Sequence, residues 1–363
     1  MTASAPTVGI IGLGYGRAHI PAFQANGCRV VALCQRDQPS AKALADRYGV
    51  PSVFGRWEDL LETARPDIAV IATPPHLHHP IALRAFAQGA HVLCEKPLAM
   101  SRVEAEALAE AAERARCVAM TSFNWRFVAG MQELHARAVE GVLGRLFHVN
   151  ARWLGGRWAK DTDAPTWRMD RAQAGHGSLG DMGVHVVDLV RWSFGEIARV
   201  AARVGVAYPE RQAPGVNRPA DAEDYCTVVG ELESGGTVSI VTSRVARGTN
   251  EHTLEAYGSG GSLTYRFARE GAAWWEGQLR ATGAGDALLP VTPRWVPDRA
   301  AGEGDPMEII GKVTIAPLVA RFLDSIRTGA QPSPSLHDGV RAQAVLDAVG
   351  EASTRGDWVE VAR

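Results

Sequence analysis

Four side chains in this sequence have the chemistry to steady a charge and move a proton: Glu95 and Lys96 in HVLCEKPLAM (91–100), and Asp181 and His185 in AGHGSLGDMGVHVVDL (174–189). A lysine carries three N–H donors on a cation, suited to an oxygen that gains negative charge. An imidazole titrates near neutral pH and serves as a general acid or base, and a carboxylate one turn away can orient it. Asp181 and His185 are four residues apart, so a helix starting near Asp181 puts both on one face. Taken singly, each pair has a plainer meaning. DxGxH also describes an N-cap aspartate with a packed histidine, and Glu-Lys also describes a solvated strand terminus. Pro97 lacks a backbone donor and stops the apolar run HVLC, while Glu95 and Lys96, as strand neighbours, point to opposite faces.

The elements that carry these groups follow from the patterning. From Thr7 to about Thr121, unalternated apolar runs (VGIIGL, RVVALC, DIAVIAT, HVLCEK, CVAMTS) are separated by helical stretches near 18–25, 40–48, 81–88 and 103–114. This is the pattern of an α/β, doubly wound parallel sheet covered on both faces. After NWRF, alternating strands near 145–153, 200–207, 224–232, 237–242, 252–257 and 262–267 are joined in places by turns such as ESGGT and GSGGS. Short turns make neighbours antiparallel, so an α+β domain with a mainly antiparallel sheet is expected there. Helices are expected at 182–194, 316–327 and 338–353, and a long loop at about 270–305. A chain of 363 residues exceeds what one core serves, and the expected division is 1–125 and 126–363.

A hydrophobic content of 46% with 21% charged residues is that of an ordinary globular chain, and a formal net charge of -2 argues against nucleic acid or an anionic membrane as partner. No run is long enough to span a bilayer, and MTASAPTVGIIG shows no secretory leader pattern. The five cysteines include no CxxC pair and read as small core residues in a reducing, cytoplasmic compartment.

GIIGLGYGRAH sets Gly12, Gly14, Tyr15 and Gly16 between the first strand and a helix. Glycines there allow a tight turn and close approach of a pyrophosphate to a helix N-terminus. The spacing is GxGxG, not GxGxxG, with Arg17 where the last glycine would stand, and a tight turn without ligand is the competing reading. In LCQRD, Gln35 occupies the strand end that usually offers a carboxylate to the ribose of NAD, and Arg36 suits a 2′-phosphate or an adenine stack. NAD and NADP both stay open.

The glycine turn, TPPHLHHPIALRAFAQGAHVLCEKPLA, NWRF and GHGSLGDMGVHVVDL, in this order and at these separations, resemble the glucose-fructose oxidoreductase, inositol dehydrogenase and rhizopine-catabolism (Gfo/Idh/MocA) family. The likeness continues through DYCTVVGELESGGTVSI and NEHTLEAYGSGGSL to the last helix. It implies a Rossmann domain binding NAD or NADP, then a domain with a large open sheet lining the active site, in a homodimer or homotetramer. It implies that Lys96 is the active-site lysine and that Asp181 and His185 are its acidic and histidine partners. It also implies that Thr73, Pro74 and His78 pass the nicotinamide, with Glu95 nearby, and that Asn124 and Arg126 mark the crossing into the second domain, Asn124 at the cofactor and Arg126 at the substrate. His176 interrupts what is commonly a glycine triplet and is expected to enter the substrate pocket.

The implied reaction is hydride transfer between nicotinamide and the carbinol or carbonyl carbon of a sugar, polyol, inositol or glycoside. In WLGGRWAKDTDAPTWR (153–168), Trp158, Lys160 and Arg168 suit a polyhydroxylated ligand, with packing in a core or dimer interface as the alternative for the tryptophans. HLHH (76–79) lacks companion ligands at suitable spacing, so no metal is expected. Two rival functions are a glycoside-cleaving enzyme that recycles its hydride, and a sugar or cofactor sensor without turnover. The complete Lys96, Asp181 and His185 set weighs against the sensor.

Overall fold

The computed structural model describes residues 5–211, 220–268, 277–283, 288–289 and 305–363. It holds two compact units, Met1–Phe127 with Glu303–Val340, and Val128–Gly302 with Arg341–Arg363.

In the first unit, strands β1 (Thr7–Ile11), β2 (Arg29–Cys34), β3 (Ser52–Phe54), β4 (Ile68–Ile71), β5 (His91–Cys94) and β6 (Ala119–Thr121) alternate with helices α1 (His19–Ala25), α2 (Gln38–Tyr48), α3 (Trp57–Ala64), α4 (His78–Ala87) and α5 (Arg102–Ala115). The sheet is parallel, in the order β3-β2-β1-β4-β5-β6. The order reverses at β1, the place where open α/β sheets bind ligands beyond their strand ends. Apolar strands without alternation are buried on both faces. Ile10, Val70 and Leu93 lie on the side of α1, and Ile11, Ile71 and Cys94 on the side of α3, α4 and α5.

The sequence pattern hid β3 and α3, which are short, and it placed residues 303–340 with the second domain. Helices α9 (Pro306–Ile310) and α10 (Ala316–Thr328), joined by a π-helical turn at Gly311–Ile315, instead belong to the first unit. Their Ile315, Leu318, Val319 and Phe322, none of them exposed, complete the layer that α1 begins. The same apolar stripe fits any apolar surface, so sequence alone cannot say which sheet it covers.

The second unit has α6 (Ala129–Val139), β7 (Leu146–Gly155), α7 (Arg171–Ala174), α8 (Val184–Phe194), β8 (Ile197–Gly205), β9 (Tyr225–Leu232), β10 (Thr237–Ser243), β11 (Asn250–Gly258), β12 (Ser262–Ala268), β13 (Gln278–Thr282) and β14 (Leu288–Leu289). After α11 (Leu336–Arg355), inside which the two units divide, β15 (Val359–Glu360) closes the sheet edge. Among the described residues the sheet has nine strands in the order β14-β13-β12-β11-β7-β10-β9-β8-β15, antiparallel except for β7 beside β10. In β9, Cys226, Val228 and Gly230 are buried while Tyr225, Thr227 and Val229 are exposed, the alternation of a sheet covered on one face. Of the loop expected at 270–305, residues 278–282 and 288–289 are strand, and 270–276, 284–287 and 290–304 lie outside the described residues.

Four of the five cysteines are buried, and all five are free thiols. Burial pushes the Cys28 thiol up to about 11 and, with nearby Glu58 and Asp59, that of Cys34 to about 12, so both behave as packing groups. Among the described residues no helix is long and apolar enough to cross a membrane.

Phe322 tests the assignment of α10. Phe322→Ala is expected to cost about 3–5 kcal/mol of first-unit stability, read by urea denaturation. An unchanged midpoint would contradict this packing.

Candidate active site

In the first unit the expected cofactor residues gather at the carboxyl ends of the strands. Gly12 has φ +89, and a Cβ there would lie 2.5 Å from the carbonyl oxygen of Ala72, so the turn closes on β4 only with glycine. Gly14 is exposed, with nothing within 4 Å of where its Cβ would stand, leaving the backbone open to a ligand. Gln35 is half-buried and Arg36 exposed. Asp37 is engaged as the N-cap of α2, accepting from the Ser40 amide and hydroxyl at 3.3 and 2.6 Å, and these bonds hold its carboxyl below the usual range. An open glycine turn beside a half-buried glutamine and an exposed arginine fits a dinucleotide.

Glu95, only 6% exposed, directly follows β5 and meets the ring of His19 on α1, with Oε1 and Nε2 2.9 Å apart. Burial, the largest influence, pushes its carboxyl up, but the His19 bond and charge, with Lys96 beside it, hold the group below the ordinary range. Lys96, at the same strand end, is half-buried. His78 is fully buried, its Nδ1 2.9 Å from the Pro97 carbonyl oxygen and its Nε2 2.9 Å from that of Thr73. Burial outweighs those two carbonyls and holds its pKa down. A neutral ring donates to one carbonyl only, so His78 hydrogen-bonds one of the Thr73 and Pro97 turns and packs against the other. Asn124 Nδ2 donates to the Tyr15 hydroxyl at 3.1 Å and to Thr314 Oγ1 at 2.8 Å. Arg126, expected at the substrate, is 3% exposed and donates to Asp338 at 2.8 Å.

In the second unit, DxGxH opens differently from expectation. The helix begins with a π-helical turn at Leu179–Gly183 and turns into α8 at Val184, so Asp181 and His185 straddle the junction. Such turns mark functional sites in many proteins. Glu223, 1% exposed, caps this turn: its Oε1 accepts from the Leu179 amide at 3.0 Å, and its carbonyl accepts from the Ser178 amide at 2.8 Å. A Cβ on Gly177 would lie 2.0 Å from that carbonyl, which explains glycine at 177. Asp181 Oδ1 is 3.4 Å from Arg168 Nε. Buried His185 lies against Trp153 of β7, ring centroids 5.7 Å apart, and Trp153 stacks on His252 of β11 at 4.7 Å.

Arg168 therefore stands beside the candidate acid, and Lys160 is exposed. Trp158 is buried, under the guanidinium of Arg157 and packed with Met169 and Ala220, the packing alternative foreseen for the tryptophans. His176 turns toward α11, its Nε2 3.9 Å from Asp347. Sequence inspection missed His19, Arg211, Glu223, Asp224, Arg244 and His252. The period-two pattern of NEHTLEAYG was the one available signal, since it sets His252 on the buried face with Leu254 and Ala256.

A nucleotide-type Rossmann unit followed by a sheet unit carrying a carboxylate and an imidazole is the architecture of an NAD-binding oxidoreductase. Residues 7–123 match the family described as oxidoreductase family, NAD-binding Rossmann fold, and residues 131–264 match the GFO/IDH/MocA C-terminal domain. The chain is 30% identical to levoglucosan dehydrogenase of Pseudarthrobacter phenanthrenivorans, over 98% of this chain and 97% of that one. It is 31% identical to D-glucoside 3-dehydrogenase of Escherichia coli over 54% of this chain and 56% of the other. A solved structure of levoglucosan dehydrogenase in complex with NADH and L-sorbose superposes with TM-score 0.88 at 27% identity, over 99% of this chain and all (100%) of that one. The chain belongs to the Gfo/Idh/MocA family, and it is an NAD(P)-dependent oxidoreductase acting on CH–OH groups.

Because the folded Glu95 carboxyl titrates below the ordinary 4.5, its stabilising contribution is complete above that value and is lost as pH falls through the folded one. Glu95→Gln is expected to be less stable than the parent at about pH 7, by about 1–3 kcal/mol, with the gap narrowing at about pH 3.5. Paired urea titrations at both pH values read it, and a gap that stays constant would rule out a charged Glu95.

Proposed function

We propose that this chain oxidises, or in reverse reduces, the carbinol carbon of a sugar, polyol, inositol or glycoside, with Lys96, Asp181 and His185 as its catalytic residues. NAD(P), when bound, supplies the hydride acceptor. Gly12, Gly14, Tyr15 and Gly16 would hold its pyrophosphate, Gln35 and Arg36 its adenosine end, and Thr73, Pro74, Glu95, Lys96 and Asn124 its nicotinamide end, with His78 fixing the backbone there. Lys96 hydrogen-bonds the reacting oxygen and steadies the negative charge that develops on it. His185 takes the hydroxyl proton, and Asp181 orients the imidazole and offsets the charge it acquires. Arg168 and Lys160 donate to substrate hydroxyls. Arg126, Trp158 and His176, paired or buried, keep their surroundings in shape.

What carries this reading is that Lys96 follows the carboxyl end of β5 by two residues and that Asp181 and His185 lie at the opening of α8 in a chain matching levoglucosan dehydrogenase along nearly its whole length. Buried thiols agree with a cytoplasmic setting, and exposed Tyr225 and Val229 on the outer face of β9 agree with a homodimer or homotetramer, which sedimentation would read.

A panel of free sugars, inositols and glycosides, each with NAD and with NADP, tests the activity. Reduced nicotinamide should accumulate with a free sugar. Aglycone release without accumulation would favour the recycled-hydride alternative. Lys96→Ala is expected to lower kcat by about 10²–10³-fold while changing NAD(P) affinity far less. Wild-type turnover in that variant would remove Lys96 from the mechanism.

A further inference from the structure

Asp224 is fully buried, and so are the two guanidinium groups facing it, Arg211 at 3% and Arg244 at 1% exposed. Arg244 Nε donates to Asp224 Oδ1 at 2.7 Å, and Arg211 Nη2 lies 3.4 Å from the same oxygen. The amides of Ala207 and Tyr208 donate to Oδ2 at 2.8 and 3.4 Å. One carboxylate thus faces two cations in a place closed to water, which leaves positive charge to be satisfied by other oxygens.

Backbone carbonyls supply those oxygens. Arg244 donates to Arg168 O at 2.8 Å and to Ala222 O at 2.9 Å. Arg211 donates to Lys160 O at 2.9 Å and to Trp158 O at 3.2 Å. Next to them, Arg247 and the Tyr208 hydroxyl both donate to Ala159 O, at 2.8 and 2.9 Å. All of these carbonyls except that of Ala222 belong to residues 158–168, a segment with no strand or α-helix of its own. Its last residue, Arg168, is the one beside Asp181. Well-packed apolar residues would stabilise this sheet as well or better. They could not donate to the carbonyls of an irregular segment, which need partners once buried.

We propose that the Arg211–Asp224–Arg244 cluster is a positioning device. It clamps the 158–168 loop by its carbonyls and so sets Arg168 against Asp181, without touching substrate or cofactor. The kinetic part rests on the function proposed above; the clamp itself does not.

Asp224→Asn leaves two buried cations facing a neutral amide and is expected to fold poorly. Arg244→Lys keeps the charge and loses the forked donors, so it is the informative variant. Hydrogen exchange followed by mass spectrometry should show amides 158–168 exchanging about tenfold faster or more, with β9 and β10 unchanged. With levoglucosan, or the best sugar of the panel, kcat should fall by about 10–100-fold and KM change less. The double variant with Arg168→Met should be no slower than Arg168→Met alone, because the effect runs through Arg168. Unchanged loop exchange overturns the clamp, and additive losses in the double variant overturn the route through Arg168. Arg211→Lys puts the same questions from the other guanidinium and decides them if Arg244→Lys does not fold. If the parent protein oxidises no sugar, the proposed function fails while the exchange result still decides the clamp.

Discussion

A carboxylate withdrawn from water must meet positive charge or N–H groups inside the protein, or it takes up a proton. Glu95, Glu223 and Asp224 are all withdrawn in this way, at 6%, 1% and 0% exposure. Each solves the problem with partners that build a candidate site. Glu95 joins the end of β5 to α1 through His19, so the contact that satisfies it also sets where the next residue, Lys96, emerges. Glu223 and Asp224 are consecutive, in the bend that leads into β9, and their side chains take different partners. One caps the turn carrying Asp181, and the other gathers the arginines that hold the loop carrying Arg168.

Much of the scaffold was legible from the sequence because parallel strands buried on both faces have to be apolar without alternation. VGII, IAVI and HVLC could be located for that reason, and the glycine turn could be placed before α1. The candidate catalytic groups were legible because Lys96 stands just past the carboxyl end of such a strand and Asp181 and His185 share a helix opening. Residues 303–340 were misplaced because an amphipathic stripe such as that of α10 does not state which sheet it will cover. Trp158 was named for the ligand with packing as the alternative, and Arg126 was named from the family resemblance. Their burial is set by partners far along the chain, Arg244 for the one and Asp338 for the other.

The buried polar groups were illegible for a related reason. Nothing in AEDYC says that Arg244, twenty residues on from Asp224, will complete its shell, since pairing over such separations is a property of the folded sheet. An arginine or glutamate in a strand pattern reads as solvent-facing until its partner is known. Here β10 ends beside the start of β9, with the Arg244 amide donating to the Asp224 carbonyl at 3.0 Å, and that register brings the two side chains together.

The π-helical opening of α8 bears on chemistry as well as on shape. Four residues overshoot an α-helical turn of about 3.6 residues, and they fall short of a turn closed by i→i+5 bonds. At the junction between the two patterns, residues four apart come nearer to a single line than in either pattern alone. Asp181 lies in the π segment and His185 in the α segment, so the carboxylate is carried toward the line of the imidazole it is to orient. Such an opening holds only if its amides are answered from outside the helix. The Leu179 amide is answered by Glu223, and the close pass of Gly177 over the Glu223 backbone is what lets the cap come within reach.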